Sequence, residues 1–480
     1  MRLSLLIFLA LASFTVSTVR AATGNDDGFQ FKPAAWFGRT TDVCIIGGGA
    51  SGTYAAVRLK DMGKTVTVIE AKNTLGGHTE TWTDPASGQT VELGVETWHV
   101  TNASMRFVDR FSIEVEHGLA PNTRGTVFVD YQTGKNMVGG VGYAWNDILA
   151  AQAKYGEQRA KYANLSSGYY LGSPVPEDFM LPFIDFAKKY QLEAILYFFY
   201  LQQQGGSDFL RQPALYVLKE FDLDRVVHSA DNVTMRAKGP MHEIYDCALK
   251  DLGDDVLLNS SLVKTMRLRR RNNKPGVFIT VETPSGYEII QAKALLIAAP
   301  PTSTILDSLW LEDQETRVLS KIVPHYYYTG LINSTGLPNN TVYNFAATST
   351  EFHIPEVPGL YWFRSTSITG VFDFKYGHNG TEMSSQAIQD DIIAKVRTMH
   401  ASGDFKTTGD YNPQIVKFSS HSPFDLQVSP DDIRNGFYQR LYALQGLRST
   451  YYTGAAFGGH DSGELWDFTE ALVSKIAATL

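Results

Sequence analysis

The chain has 480 residues, a formal charge of −8, 44% hydrophobic and 19% charged residues, and two cysteines. That balance excludes a disordered protein, a small disulfide-stapled scaffold and a general nucleic-acid binder, and the length allows two or three domains with substantial cores. The short basic run Arg267-Leu268-Arg269-Arg270-Arg271 precedes Asn-Asn-Lys-Pro-Gly and reads as a strand end entering a turn, not as a nucleic-acid or membrane contact.

In chain order, the first segment is a leader. Met1-Arg2 carries charge, residues 3–16 are apolar with few interruptions, and Val19-Arg20-Ala21 follows. The pattern predicts a signal peptide over residues 1–21, cut after Ala21, because the apolar run is shorter than the ~20 residues a span requires. No later segment is long and apolar enough for a stable membrane span. Asn102, Asn164, Asn232, Asn259, Asn333, Asn339 and Asn379 head N-x-S/T sequons, against roughly three expected by chance. A secreted or lumenal, N-glycosylated protein is therefore expected. Cys44 falls in a predicted strand and Cys247 in a helical stretch, so no disulfide between them is expected.

The most informative unit follows. Asp42-Val43-Cys44-Ile45-Ile46 is an unbroken apolar run, as a strand buried on both faces requires. Residues 47–52, Gly-Gly-Gly-Ala-Ser-Gly, fit G-x-G-x-x-G, and residues 53–61 are helix-compatible before Gly63. A second strand, residues 65–69, stops at Glu70. In such a unit Gly47 permits the tight turn and Gly49 lets backbone approach a pyrophosphate. Gly52 allows close helix–strand packing, and the helix N-terminus offers free N–H groups and a positive dipole end to the phosphates. Glu70 stands where a carboxylate accepts from both ribose hydroxyls and repels a 2′-phosphate. Strand, glycines, helix, strand and acid together predict a dinucleotide site.

From residue 100 to 225 helical patterns dominate, over 141–161 and 179–204, with Tyr197-Phe198-Phe199-Tyr200 expected in the core. Strands are predicted at 256–258, 261–268, 277–283, 287–291 and 294–299, with a hairpin around Pro284-Ser285-Gly286. A mixed, aromatic-rich block runs over 306–440. The tail ends in Tyr451-Tyr452-Thr453-Gly454-Ala455-Ala456 and a helix from Glu464 to about Ala478. The alternation suggests one discontinuous domain of residues 40–105, 225–305 and 440–480, with a second built from 106–224 and 306–439.

The turn at residues 47–52, Glu70, the Gly76-Gly77 pair and the C-terminal strand–Gly454–helix resemble flavin amine oxidase-like proteins. More narrowly, Leu75-Gly76-Gly77-His78-Thr79-Glu80-Thr81 and residues 441–456 resemble the fungal β-cyclopiazonate dehydrogenase family. The resemblance implies an α/β fold, a Rossmann-type FAD-binding domain of the amine oxidase and glutathione reductase kind with an inserted α+β substrate domain. It also implies a noncovalent FAD. Carried over, Gly47, Gly49, Ala50, Ser51 and Gly52 hold the pyrophosphate and Glu70 the ribose. Gly76, Gly77, His78 and Thr79 form a second cofactor loop, and Val263 offers backbone groups to the adenine. Gly454 and the last helix near Leu465 face the flavin pyrimidine, where a helix dipole stabilises negative charge. His78 departs from the arginine of many amine oxidases, so a fixed cationic clamp is not expected. No counterpart of their flavin-contacting lysine, and no cysteine to tether the flavin, is evident.

The resemblance implies a FAD-dependent dehydrogenase or oxidative cyclase of secondary metabolism, removing hydride from a terpenoid- or alkaloid-like intermediate so that an internal nucleophile closes a ring. The substrate expected is small, apolar and polycyclic. Two other readings stand beside it: a flavin-dependent double-bond isomerase of a polyunsaturated lipid, and a non-catalytic escort protein sharing the fold. His99, Glu96, Tyr327, His325, His421 and Tyr452 are each capable of acid–base work, but none is assigned a catalytic role and no metal ligands are assigned.

Overall fold

The computed structural model describes residues 38–118, 125–140, 142–203, 205, 208–222, 233–268, 276–346, 350–380, 383–405 and 411–480. The expected signal peptide and Asn232 lie outside these. The first strand, Arg39–Ile46, pairs in parallel with Val66–Ile69 on one side and Gly286–Ile297 on the other. Val43, Cys44, Ile45 and Ile46 are buried, which is why the run carries no polar alternation. The sheet continues through Val277–Thr283 to Ser261–Arg267 on one flank and through Val256–Leu257 on the other. Thr450–Tyr452, from the far end of the chain, joins it in parallel beside Leu295, Leu296 and Ile297.

Two expectations are revised here. Residues 287–291 and 294–299 are not separate strands but one strand, Gly286–Ile297. Ala292 and Lys293 hid the continuity. Ala292 packs inside the sheet, and Lys293 reaches out to Asp42 at 2.5 Å. The long helix expected over 179–204 is instead broken into Phe183–Tyr190 and Leu196–Gln202, with short 3-10 turns at Glu177–Met180 and Glu193–Ile195. Pro182 starts the first helix, and Gln191, left-handed at φ 57°, stops it. Tyr197, Phe199 and Tyr200 are core, as expected, whereas Phe198 is half exposed.

A second sheet orders Tyr411–Ser420, Val323–Thr335, Val371–His378, Gly359–Ser365, Thr341–Asn344 and Thr126–Val129, and Phe424–Gln427 adds to Val323–Thr335. Helix Ser385–Ala401 covers it with Ile388, Ile392, Val396 and Met399. Helix Asn102–Arg110 runs across the expected 105/106 boundary and packs Phe107 edge-on against Trp466 of the last helix, Ser462–Thr479. Residues 39–480 form one compact unit. No helix among the described residues is long and apolar enough to cross a membrane.

Candidate functional site

The turn after the first strand is shaped by contacts a side chain would destroy. Gly47 has φ +98°, donates its N–H to the Ile69 carbonyl at 2.8 Å, and has room for no Cβ, which would lie 2.9 Å from the Ala299 nitrogen. A Cβ on Gly52 would sit 1.9 Å from the Gly47 carbonyl oxygen, so helix Ala50–Asp61 leaves the turn only because this residue is glycine. At Gly49 the nearest atom to an added Cβ is the Gly77 Cα at 3.7 Å, so this glycine leaves free space. The helix start has no side-chain cap and no acid in its first turn, leaving N–H groups for an anion. Ser51 is 4% exposed and its hydroxyl has no partner among the described residues.

Glu70 closes the cradle. One carboxylate oxygen accepts from the Gly48 N–H at 2.6 Å and the other from the Lys72 N–H at 2.8 Å. Lone pairs remain on both oxygens for sugar hydroxyls. The second loop is tied to the first turn, because the Gly76 N–H donates to the Gly48 carbonyl at 2.8 Å. Gly76 and Gly77 have φ +101° and +61°, the left-handed region that only glycine enters cheaply. Thr79 is buried, and its N–H donates to Gly76.

The C-terminal residues arrive at the same place. Gly454, at φ +103°, packs against Ala298, the same alanine that faces Gly52. The Trp466 indole donates to the Ala50 carbonyl at 3.1 Å, pinning the last helix to the first turn of the glycine-bounded helix. Leu465, beside it, is buried. Thus the turn from Gly47 to Gly52, with Glu70, Gly76 and Gly77, comes together around one cradle, and Gly454 reaches it through Ala298. Val263 is the exception. It lies on the edge strand Ser261–Arg267, three residues past Ser260, whose N–H donates to the Glu70 carbonyl. A register slip between Leu262 and Lys264 leaves Val263 out of the ladder.

His78 turns away from a clamp role. Its ring stacks on His421 with centroids 4.9 Å apart and lies 5.5 Å from Phe424. Burial, reinforced by His421, His460 and Lys72, holds it well below the usual imidazole value, so it is neutral at pH 7. The other acid–base candidates have partners. His99 lies 2.7 Å from Asp461, Glu96 pairs with Arg364, and the His325 Nδ1 is 2.6 Å from the Asp425 carbonyl. Tyr452 donates to Glu315 at 2.5 Å, His421 is 3.8 Å from Glu80, and the buried Tyr327 ring packs on Phe424 at 4.9 Å.

Several residues of the site escaped sequence reasoning. A Cβ on Gly48 would meet Leu75 at 2.4 Å, and one on Gly94 would meet the His78 carbonyl at 1.7 Å. The isolated glycine in Val91-Glu92-Leu93-Gly94-Val95 was the available signal for the second. The buried Lys219–Glu464 pair left none, since its partners are 245 residues apart.

Residues 45–111 match the family of NAD(P)-binding Rossmann-like domains, whose turn serves the ADP half shared by NAD and FAD. Over 444 residues, 90% of each chain, the protein is 35% identical to the FAD-dependent oxidoreductase oblC of Cochliobolus heterostrophus. It is 33% identical over 443 residues to the β-cyclopiazonate dehydrogenase of Aspergillus flavus, covering 91% of this chain and 93% of that one. The chain belongs to the β-cyclopiazonate dehydrogenase family of FAD-dependent oxidoreductases. Among solved structures, a fatty acid isomerase from P. acnes that produces CLA shares the fold (TM-score 0.72, 19% identity, 91% of this chain and 98% of that one). So does cyclohexylamine oxidase from Brevibacterium oxydans (TM-score 0.62, 13% identity, 92% and 99%). The cofactor of this family member is FAD, and the lining fits it: an unpartnered buried hydroxyl at Ser51, an uncapped helix start, a bare Gly49 and a carboxylate at Glu70.

Glu70→Gln is expected to weaken FAD binding about 10- to 100-fold, the ~1.4–3 kcal/mol of hydrogen bonds to a charged acceptor. Titrating deflavinated protein with FAD and following flavin fluorescence checks this.

Proposed function

We propose that the protein oxidises a small, apolar, polycyclic intermediate of terpenoid or alkaloid type in secondary metabolism, and that loss of hydride lets an internal nucleophile of the substrate close a ring. The observation that carries this reading is the 33% identity to β-cyclopiazonate dehydrogenase over 91% of the chain. FAD, when bound, supplies hydride acceptance. Gly47, Gly49, Ala50, Ser51 and Gly52 bind its phosphates through backbone and hydroxyl donors, and Glu70 orients the adenosine ribose. Gly76, Gly77, His78 and Thr79 border the dinucleotide on the other side, with His78 neutral. Val263, at the register slip of its strand, meets the adenine, and Gly454 with the helix start near Leu465 meets the pyrimidine. The FAD-binding part comprises 40–105, 225–305 and 440–480, and the substrate part 106–224 and 306–439. Aromatic rings at Tyr327, Phe424, His421 and His460 exclude water and suit a flat ligand.

Anaerobic mixing with a candidate substrate tests the reaction. The account expects the yellow band to bleach, with product two hydrogens lighter than substrate. A product of unchanged mass and no net bleaching would instead mark a double-bond isomerase, and a colourless protein that takes up no FAD an escort protein.

The secretory pathway is proposed as its place. The reading is supported by exposed sequon asparagines at Asn102, Asn164, Asn259, Asn339 and Asn379, whereas Asn333 is half buried. Endoglycosidase treatment of protein from its host is expected to raise its mobility on a gel. Unchanged mobility would contradict the proposal.

A further inference from the structure

Glu96 reaches the second cofactor loop by way of a laced segment. The Leu93 N–H donates to the Glu80 carbonyl at 2.8 Å, and the Val95 N–H to the His78 carbonyl at 3.3 Å. Between them Gly94 has no room for a side chain, so the two backbones lie in contact and Glu96 follows at the edge of the loop. Its partner, Arg364 on strand Gly359–Ser365, stands in register with Asp373 on strand Val371–His378. The guanidinium bonds to both carboxylates. Its Nε donates to Asp373 at 2.8 Å, one terminal nitrogen to Glu96 at 3.2 Å, and the other to Glu96 and, at 2.5 Å, to Asp373.

Asp373 and Lys375 are buried. The Asp373 carboxylate also accepts from the Trp362 indole, and the Lys375 ammonium is turned to the Leu93 carbonyl at 3.1 Å. Glu96 and Arg364 differ, with 39% and 32% of their side-chain surface open. Protein surrounds both on every side, and loss of water is the foremost influence on each, so this open surface faces an interior space and not bulk solvent. The same space meets the aromatic wall, since burial, then Tyr361 and Glu96, raise the Tyr327 hydroxyl well above its ordinary value.

The hydrogen bonds already made decide what the space offers a ligand. Arg364 commits four of its five N–H donors to two carboxylates, whereas Glu96 accepts only from Arg364 among the described residues and keeps a lone pair on each oxygen. Burial by itself would raise the Glu96 carboxyl, but Arg364, then Lys375, bring it below its ordinary value, so it is ionised at pH 7. The charge left open is negative. In a space closed to water such a charge acts strongly on a cation and little on a neutral ring.

We propose that the Glu96 carboxylate, positioned by Arg364 and Asp373, stabilises the positive charge that develops on the substrate as hydride departs. The inference rests on the reading of the reaction as hydride loss followed by ring closure. Hydride leaves with both electrons of its C–H bond and FAD accepts it, so the substrate carbon becomes the cation. The internal nucleophile then forms its bond to that carbon and releases its proton to solvent. Glu96 forms and breaks no covalent bond.

Two planar probes of one size separate charge from fit: naphthalene-2-carboxamidine, a cation at pH 7, and naphthalene-2-carboxamide, which is neutral. Each is titrated into FAD-loaded protein and followed by the flavin difference spectrum. Native protein is expected to bind the amidine at least about tenfold more tightly than the amide. Glu96→Gln should weaken amidine binding about 10- to 100-fold while moving amide binding by less than about threefold. Glu96→Asp, which keeps the charge but draws it back, should fall between the two, and it serves if Glu96→Gln does not fold. Equal affinity for both probes in the native protein, amidine binding unmoved by either variant, or no spectral change with either probe overturns the inference while FAD remains bound. In anaerobic mixing, a product of unchanged mass would overturn the underlying reading instead.

Discussion

Gly52→Ala is expected to yield protein without FAD and with about 3 kcal/mol less stability, the upper end of ordinary overpacking. The added methyl group would lie 1.9 Å from the Gly47 carbonyl oxygen and 3.2 Å from the Ala298 Cβ. Neither neighbour is the tip of a flexible side chain, so the turn itself must open. Opening it moves the helix start and the strand end at Ala298, where Gly454 also packs. Gly49→Ala is the informative contrast. Its Cβ meets only the Gly77 Cα at 3.7 Å, so the deflavinated protein should melt within a few degrees of the native one. FAD affinity should nevertheless fall at least about tenfold, because the methyl group enters the space left for the pyrophosphate. Thermal unfolding with and without FAD, together with the 450 nm absorbance of purified protein, separates the two effects. Equal flavin content in Gly52→Ala and native protein would refute the account of the turn.

Glu315→Gln is expected to cost about 3–5 kcal/mol at pH 7, the penalty for leaving a buried cation without its partner. Arg267 and Glu315 are fully buried, with guanidinium nitrogens 2.5 and 2.8 Å from the carboxylate oxygens. Arg267 also donates to Thr450 at 3.1 Å, and Tyr452 donates to Glu315 at 2.5 Å. One ion pair thus joins the edge strand Ser261–Arg267, helix Asp313–Leu319 and the C-terminal strand Thr450–Tyr452. Burial by itself would raise the Glu315 carboxyl, but the hydrogen bonds from Arg267 and Tyr452 bring it below its ordinary value. A group depressed in the folded state contributes stability above its unfolded pKa, near 4.3, and loses it as pH falls through the folded value. The gap between native and Glu315→Gln proteins in urea unfolding should therefore be full at pH 7 and shrink below about pH 4. Arg267→Met/Glu315→Leu, which removes both charges, should recover much of the loss. A Glu315→Gln protein within 1 kcal/mol of native at pH 7 would contradict this assignment.

What the sequence disclosed follows from which interactions are local. The strand–turn–helix–strand unit around Gly47 could be read because its glycines, buried strands and Glu70 fall within 32 residues, each constrained by its neighbours in the chain. Gly454 and Leu465 were reachable only through resemblance, since nothing near them shows that Trp466 bonds to Ala50 across 416 residues. The break at Gln191 was invisible because apolar spacing persists on both sides, and a left-handed glutamine carries no strong sequence signature. His78 was legible as a departure from arginine, but its stacking on His421, 343 positions away, is a property of the folded molecule. The Lys219–Glu464 pair was hidden for the same reason.

The central claim is that one FAD is held between the two ends of this chain. Acid-released supernatant from the purified, folded protein, resolved by chromatography against flavin standards, tests it most directly. The account predicts FAD, not FMN or free riboflavin, approaching one equivalent per chain, and reconstitution of the yellow protein when FAD is added after stripping. Supernatant without any flavin, from folded protein that also fails to bind added FAD, would contradict it.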